Sequence, residues 1–174
     1  YWDNLDNNDQ YTFYATCTLH PAPANSNQMD DLMYAECSGV TRYGLIELPF
    51  TKKSAKVIIK LKSDDKTFSI AELESATVIL PDYMTGARFD GKDYITGTTK
   101  KDVTLAKVKN ELTWTGLIQP QNIASSANLV QVKIGNSTYP VKSALNFEAA
   151  TAYTLTVDMK KTGATFSASY AEWT

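Results

Sequence analysis

The feature that most constrains this chain is a side-chain period of two. In residues 55–62, Ala55, Val57, Ile59 and Leu61 fall on one side and Lys56, Lys60 and Lys62 on the other. A strand sends successive side chains to opposite faces, so the pattern predicts one buried face and one wet face. Val130, Val132 and Ile134 alternate in the same way with Gln131 and Lys133, and Tyr153, Leu155, Val157 and Met159 with Thr154, Thr156 and Asp158. The stretch before Trp173 alternates Phe166, Ala168 and Tyr170 with Ser167, Ser169 and Ala171. Phe166, Ala168 and Tyr170 should face a core and the serines water, since period-two patterning fixes which face is buried. Helical spacing is nearly absent. Residues 69–74 have some helical character, but the apolar run 77–80 follows so soon that a single turn is expected.

Turn chemistry separates these strands: Asp90-Gly91, Gly135-Asn136 and Lys161-Thr162-Gly163. The first two are hairpin signals. The fold class is therefore all-β, an antiparallel β-sandwich. Two zones differ in texture. Residues 1–48 are rich in aromatic side chains, Asn and Asp, with a loop at 20–27 between strands at 11–18 and 32–37. From Pro49 onward short strands recur at fairly regular spacing, as a sandwich requires. About three strands cannot bury an aromatic sheet unaided. Residues 1–48 are thus expected to be the latter part of an N-terminal β-domain, and 49–174 a C-terminal β-sandwich domain. The start at Tyr1-Trp2 suggests a processed or excised piece.

Composition argues against several functions. Lys+Arg 17 against Asp+Glu 19 gives a net charge of -2, with no basic field to neutralise phosphates, so nucleic acid is not an expected partner. No apolar run approaches the roughly 18 residues of a membrane helix. The single histidine, His20, sits in a Pro/Ala/Asn loop, and the acidic pairs Asp30-Asp31 and Asp64-Asp65 lie in expected turns. Solvated turns explain these pairs better than general acid–base or calcium chemistry. Asn136-Ser137-Thr138 matches a glycosylation acceptor pattern, but the turn alone accounts for it. No enzyme, metal or cofactor is expected.

Two further groups are ambiguous in sequence. Tyr11, Tyr14, Tyr34, Tyr43 and Trp114 have the faces that stack on sugar rings, which admits a secreted carbohydrate-binding module. Aromatic residues are also ordinary strand formers. Cys17 and Cys37 lie on consecutive strands that should be antiparallel neighbours, so they can form a disulfide in an oxidising compartment or stay as two thiols.

The order of blocks is more specific than any single one. After Trp2 come Phe13-Tyr14-Ala15 and residues 31–35, then 48–61 with Phe50 and Ala55-Lys56-Val57. Later come Ile118-Gln119-Pro120-Gln121, residues 130–139, Tyr153-Thr154-Leu155-Thr156-Val157 and Trp173. This series resembles the fimbrillin-like proteins of Bacteroidetes, subunits of type V pili. Thr51 stands where the family often has His, and Ala152 where it often has Gly; neither position carries a known chemical role. The resemblance implies a transthyretin-like sandwich and a lipoprotein precursor with a first sandwich domain. It also implies a structural or adhesive role in a cell-surface pilus or fimbria at the outer membrane. The implied partners are other pilus subunits, joined head to tail by strand insertion, and host or bacterial surface glycans or proteins. Phe166, Ala168, Tyr170 and Trp173 are then the candidate strand-exchange segment, unless that strand simply closes its own sheet. Export also favours the Cys17–Cys37 bond.

Overall fold

The structure is a computed structural model that describes residues 8–173. Strands β1 (Tyr11–Thr18), β2 (Leu32–Val40) and β3 (Thr51–Lys52) form a first sheet in that order. The sandwich begins with β4 (Ala55–Lys62), a one-turn helix α1 (Ile70–Glu74), β5 (Thr77–Thr85), β6 (Arg88–Phe89) and β7 (Tyr94–Ile95). It continues through β8 (Thr99–Thr104), β9 (Ala106–Lys107), β10 (Thr113–Ile118), β11 (Gln121–Ile123) and β12 (Asn128–Ile134). The remaining strands are β13 (Ser137–Lys142), β14 (Leu145–Phe147), β15 (Thr151–Lys160) and β16 (Gly163–Glu172). The first sheet takes its third strand from beyond Pro49, so the chain changes sheets at Lys53 and Ser54.

One layer of the sandwich is the sheet β16-β15-β4-β10-β9 and the other β13-β12-β5-β8. Among the described residues all pairings are antiparallel except β4 with β15, which run parallel in the register Tyr153↔Val57, Leu155↔Ile59 and Val157↔Leu61. Parallel neighbours need a long crossover, and here the whole second layer supplies it. All six of those side chains are buried, with Leu155, Ile59, Val57 and Val157 fully so, in one core with Val78, Leu80, Val103 and Val132 of the other layer. The Trp114 ring lies in this core at 2% exposure. The Tyr83 hydroxyl donates to Leu129 O at 3.0 Å, and burial raises its pKa far above the ordinary phenol value.

Local signals behave as the sequence predicts. In α1 the Ser69 side chain accepts from Glu72 N–H while the Glu72 carboxylate accepts from Ser69 N–H, a reciprocal cap that holds the Glu72 pKa down. Gly135-Asn136 joins β12 to β13 as a two-residue hairpin turn between Ile134 and Ser137.

The Gln119-Pro120-Gln121 segment explains how the chain passes between sheets without stranding main-chain polar groups. Pro120 lies between β10 and β11, and the two glutamines act as side-chain copies of a ladder rung. Gln119, 2% exposed, donates Nε2 to Gly97 O at 2.7 Å and accepts from Gly97 N–H at 2.9 Å. Gln121 accepts from Met84 N–H at 2.9 Å and donates to Met84 O at 3.3 Å. A Cβ at Gly97 would collide with Thr85 O, so only glycine permits this approach. Gln119→Ala leaves both Gly97 groups buried and unpaired, at a cost on the order of 3 kcal/mol. Chemical denaturation of wild type and Q119A should show a lower midpoint with little change in slope.

Candidate assembly surface

A sheet edge presents unpaired N–H and C=O groups, and proteins blunt such edges with charge, proline, brevity or a covering loop. The sandwich uses these devices on three of its four outer strands. β8 carries Lys100, Lys101 and Asp102; β13 carries Pro140 and Lys142; β9 has two residues. Where β9 stops short of covering β10, residues 26–29 take its place. Met29 N–H donates to Leu117 O at 2.8 Å, and Leu117 N–H donates to Gln28 Oε1 at 3.3 Å. The Gln28 Nε2 donates across to Thr104 O at 2.7 Å, and Thr104 N–H donates to Ser26 O at 2.9 Å. Gly116 makes room: a Cβ there would lie 2.6 Å from Leu105 and 2.8 Å from Gln28 Oε1. The loop expected only to connect two strands thus seals one long side of the sandwich.

On the opposite side β16 runs close to β13 of the other layer but, among the described residues, has no ladder partner beyond β15. β16 pairs along its whole length with β15, from Lys160↔Gly163 to Thr151↔Glu172. It is the outer strand of its sheet, and its ten residues contain no Lys, Arg, Asp or Pro and a single Glu. The inner-face residues of β16 are those opposite Met159, Val157, Leu155 and Tyr153, namely Ala164, Phe166, Ala168 and Tyr170. Cover fades along this row. Ala164 and Phe166 pack partly against the core, Ala168 is exposed, and Tyr170 is 76% exposed. The expectation that Phe166, Ala168 and Tyr170 all face a core is therefore corrected. They share the core-facing side, but only Phe166 packs partly against the core, and Tyr170 lies beside the Tyr153 ring at 6.2 Å. Ser167 and Ser169 are exposed, as expected.

Trp173 behaves differently. Its N–H donates to Ala150 O at 2.7 Å, and its ring lies over Lys52 Nζ at 4.2 Å and Lys56 Nζ at 5.5 Å. Lys52 in turn forms a buried ion pair with Asp31 at 3.2 Å. Asp31 is thus no solvated turn residue.

The candidate sugar-stacking residues do not form one platform. Trp114 belongs to the core, and Tyr11 and Tyr14 are half-buried on opposite faces of β1. Tyr34 has Phe89 at 5.5 Å and Lys53 Nζ at 4.8 Å from its ring, and its hydroxyl donates to Glu36 at 3.0 Å. Desolvation, followed by the Glu36 carboxylate, pushes the Tyr34 pKa up to about 12. Tyr43 is 80% exposed and lies under the Arg42 guanidinium. Among the described residues no group of acidic, Cys or His side chains is arranged to hold a metal ion. A cleft of about 320 Å³ opens beside the sealing loop, between Met29, Leu32, Met84, Arg88 and Phe89.

A family model described as fimbrillin-like matches residues 3–173. The chain belongs to the fimbrillin-like family. Its fold is similar to a candidate cell adhesion protein of Bacteroides uniformis, with a TM-score of 0.70 and 22% identity over 95% of this chain and 73% of that one. A second candidate cell adhesion protein, from Bacteroides ovatus, aligns with a TM-score of 0.60 and 19% identity over 92% and 60% of the two chains. The tip fimbrial protein Mfa3 of Porphyromonas gingivalis, in a C-terminally truncated form, aligns at 0.56 and 10% identity over 91% and 70%. At these identities the likeness is one of fold. No curated protein matches the sequence.

In this fimbrillin-like chain the expected cysteine pair is not formed. β1 and β2 are antiparallel neighbours, but Cys17 lies opposite Met33 and Cys37 opposite Phe13. Four residues of strand separate the two along the ladder, about 13 Å, whereas a disulfide requires Cα atoms within about 7 Å. Both are free, Cys17 exposed and Cys37 half-buried. Alkylation of the unreduced native protein should label Cys17 first and both residues after unfolding. Intact mass should show no loss of two hydrogens.

Proposed function

We propose that this chain is a structural and adhesive subunit of a cell-surface pilus, joined head to tail to its neighbours by strand insertion along β16. Family membership supports the pilus role, and the unprotected β16 edge beside the bare Ala168 and Tyr170 ledge supports the site. A strand added there would gain main-chain hydrogen bonds from β16 and seat alternate side chains beside Tyr153 and Tyr170. Head-to-tail use of two different surfaces does not close on itself, so it can extend into a filament. In this reading residues 1–48, together with the short β3, are the latter part of an N-terminal β-sandwich domain, and the rest is the C-terminal one. Export, a lipoprotein precursor and attachment at the outer membrane belong to the same reading. No catalytic role is assigned.

The exposure of Ala168 in the monomer makes the site testable separately from folding. Ala168→Lys puts an inward-pointing charge on the ledge, a device that blocks strand addition, and an exposed substitution should cost within about 0.5 kcal/mol. Immunogold electron microscopy of cells producing the parent protein should show labelled filaments with wild type and none with A168K, while both purified chains melt within a few degrees of each other. Labelled filaments with A168K would overturn insertion at β16. Their absence with wild type would overturn the pilus role.

A further inference from the structure

The Asp31, Lys52 and Trp173 side chains come from three separated parts of the sequence and meet where the first sheet joins the sandwich. Lys52 is on β3, which is held to β2 through Met33↔Lys52 and Tyr34↔Thr51. Asp31 roots the loop that seals the sandwich: its N–H donates to His20 O and its C=O accepts from Leu19 N–H, both at 2.9 Å. The pair is deeply buried, Lys52 at 7% and Asp31 at 4% exposure. A buried ammonium needs compensation on every side that water has left. The Asp31 carboxylate supplies one side and the Trp173 ring face another.

Trp173 reaches that position only because β16 is seated on β15. Thr151↔Glu172 is the outermost rung of their ladder, and the next residue hands its N–H to Ala150 O. Ala150 is held from both sides, since its own N–H donates to Ser54 O at 3.0 Å. It adopts a φ of +54° without being glycine, a conformation that persists where the surroundings over-determine it. Ser54 lies between β3 and β4, so the connection runs from the end of β16 through Ala150 to the junction of the two sheets.

We propose that Trp173 is an interlock that couples the seating of β16 on its own sheet to the packing of the first sheet against the sandwich. With β16 seated, the Trp173 ring completes the cover of the Lys52–Asp31 pair. When the end of β16 is drawn away, the pair is opened to water and the first sheet with its sealing loop loosens. The coupling is a property of the single chain and holds whether or not the chain builds a pilus. Linkage makes it reciprocal: removing the Lys52 charge must loosen the end of β16 by the same factor as removing the Trp173 ring loosens the first sheet.

Hydrogen exchange of the full chain, read amide by amide, tests this. In Trp173→Ala the amides of Met33, Tyr34 and Lys53 should exchange at least tenfold faster, while those of β4, β10 and β12 stay within twofold of wild type. In Lys52→Met the amides of Ala171 and Trp173, which bond to β15, should accelerate by a similar factor. At Ala171 and the neighbouring rung of β16 the double variant should be no more than twofold worse than either single one, because there both remove the same contact. If W173A fails to fold, Trp173→Phe and Trp173→Leu serve instead, with the ring-bearing variant expected to protect the first sheet and the aliphatic one not. First-sheet amides within twofold of wild type in the variant lacking the ring would overturn the interlock. So would equal acceleration in every strand, or multiplying effects at that end of β16 in the double variant.

Discussion

The constraint on which the rest of this structure depends is that main-chain N–H and C=O groups removed from water must find partners. A sandwich with strands of unequal length leaves many of these groups at its margins, and this chain meets several of them with glutamine amides. Gln28 bridges β10 and β8 across the gap between the layers, Gln119 pairs with both polar groups of Gly97, and Gln121 pairs with both of Met84. A primary amide offers one acceptor and two donors in nearly the geometry of a peptide unit, so it can replace a ladder rung where a strand ends. With those margins satisfied, and with β8 and β13 charged or interrupted by proline, β16 is the long edge strand with a single charge and, among the described residues, no ladder partner on its outer side.

The proposed function rests on that asymmetry. One side is sealed by a loop rooted in a buried ion pair. The other presents ten residues of backbone and a shelf where Ala168 and Tyr170 continue the core's inner face without a covering layer. A chain that had only to be a stable monomer would gain from covering Tyr170 or replacing it with a polar residue. Retaining an aromatic beside Tyr153 suits a surface completed by another strand. The Trp173 contact ties this same strand to the first sheet, so the strand proposed as the assembly edge is also a structural tie.

Much of this was legible in the sequence wherever the information was local. The alternation of 55–62 and 153–159 fixed which side chains meet in the core, Ser69 and Glu72 announced the one-turn helix, and Gly135-Asn136 the hairpin. What was not legible depended on distant partners. Alternation put Tyr170 on the inner face but could not say that the opposing layer ends before it. The aromatic content suggested sugar faces, whereas Trp114 fills the core and Tyr34 is flanked by Phe89 and Lys53. Adjacent antiparallel strands suggested a disulfide, yet the register set Cys17 and Cys37 four positions apart. Asp31 and Lys52 carried no signal beyond their charges, because an ion pair 21 residues apart becomes visible only once β3 is placed. The Ile118-Gln119-Pro120-Gln121 block was recognisable as a family mark, but the reason for its glutamines is the Gly97 and Met84 backbone.

The most direct test of β16 as the assembly edge is hydrogen exchange of its backbone in the isolated chain and in assembled filaments. An outer strand has alternate amides that face away from its one partner, so in the monomer every second amide of residues 164–172 should exchange freely while the others are protected by β15. On assembly the free set should become protected, with little change in β8 and β13. Filaments in which the outward amides of β16 exchange as fast as in the monomer, while β1 or β13 gains the protection instead, would contradict it.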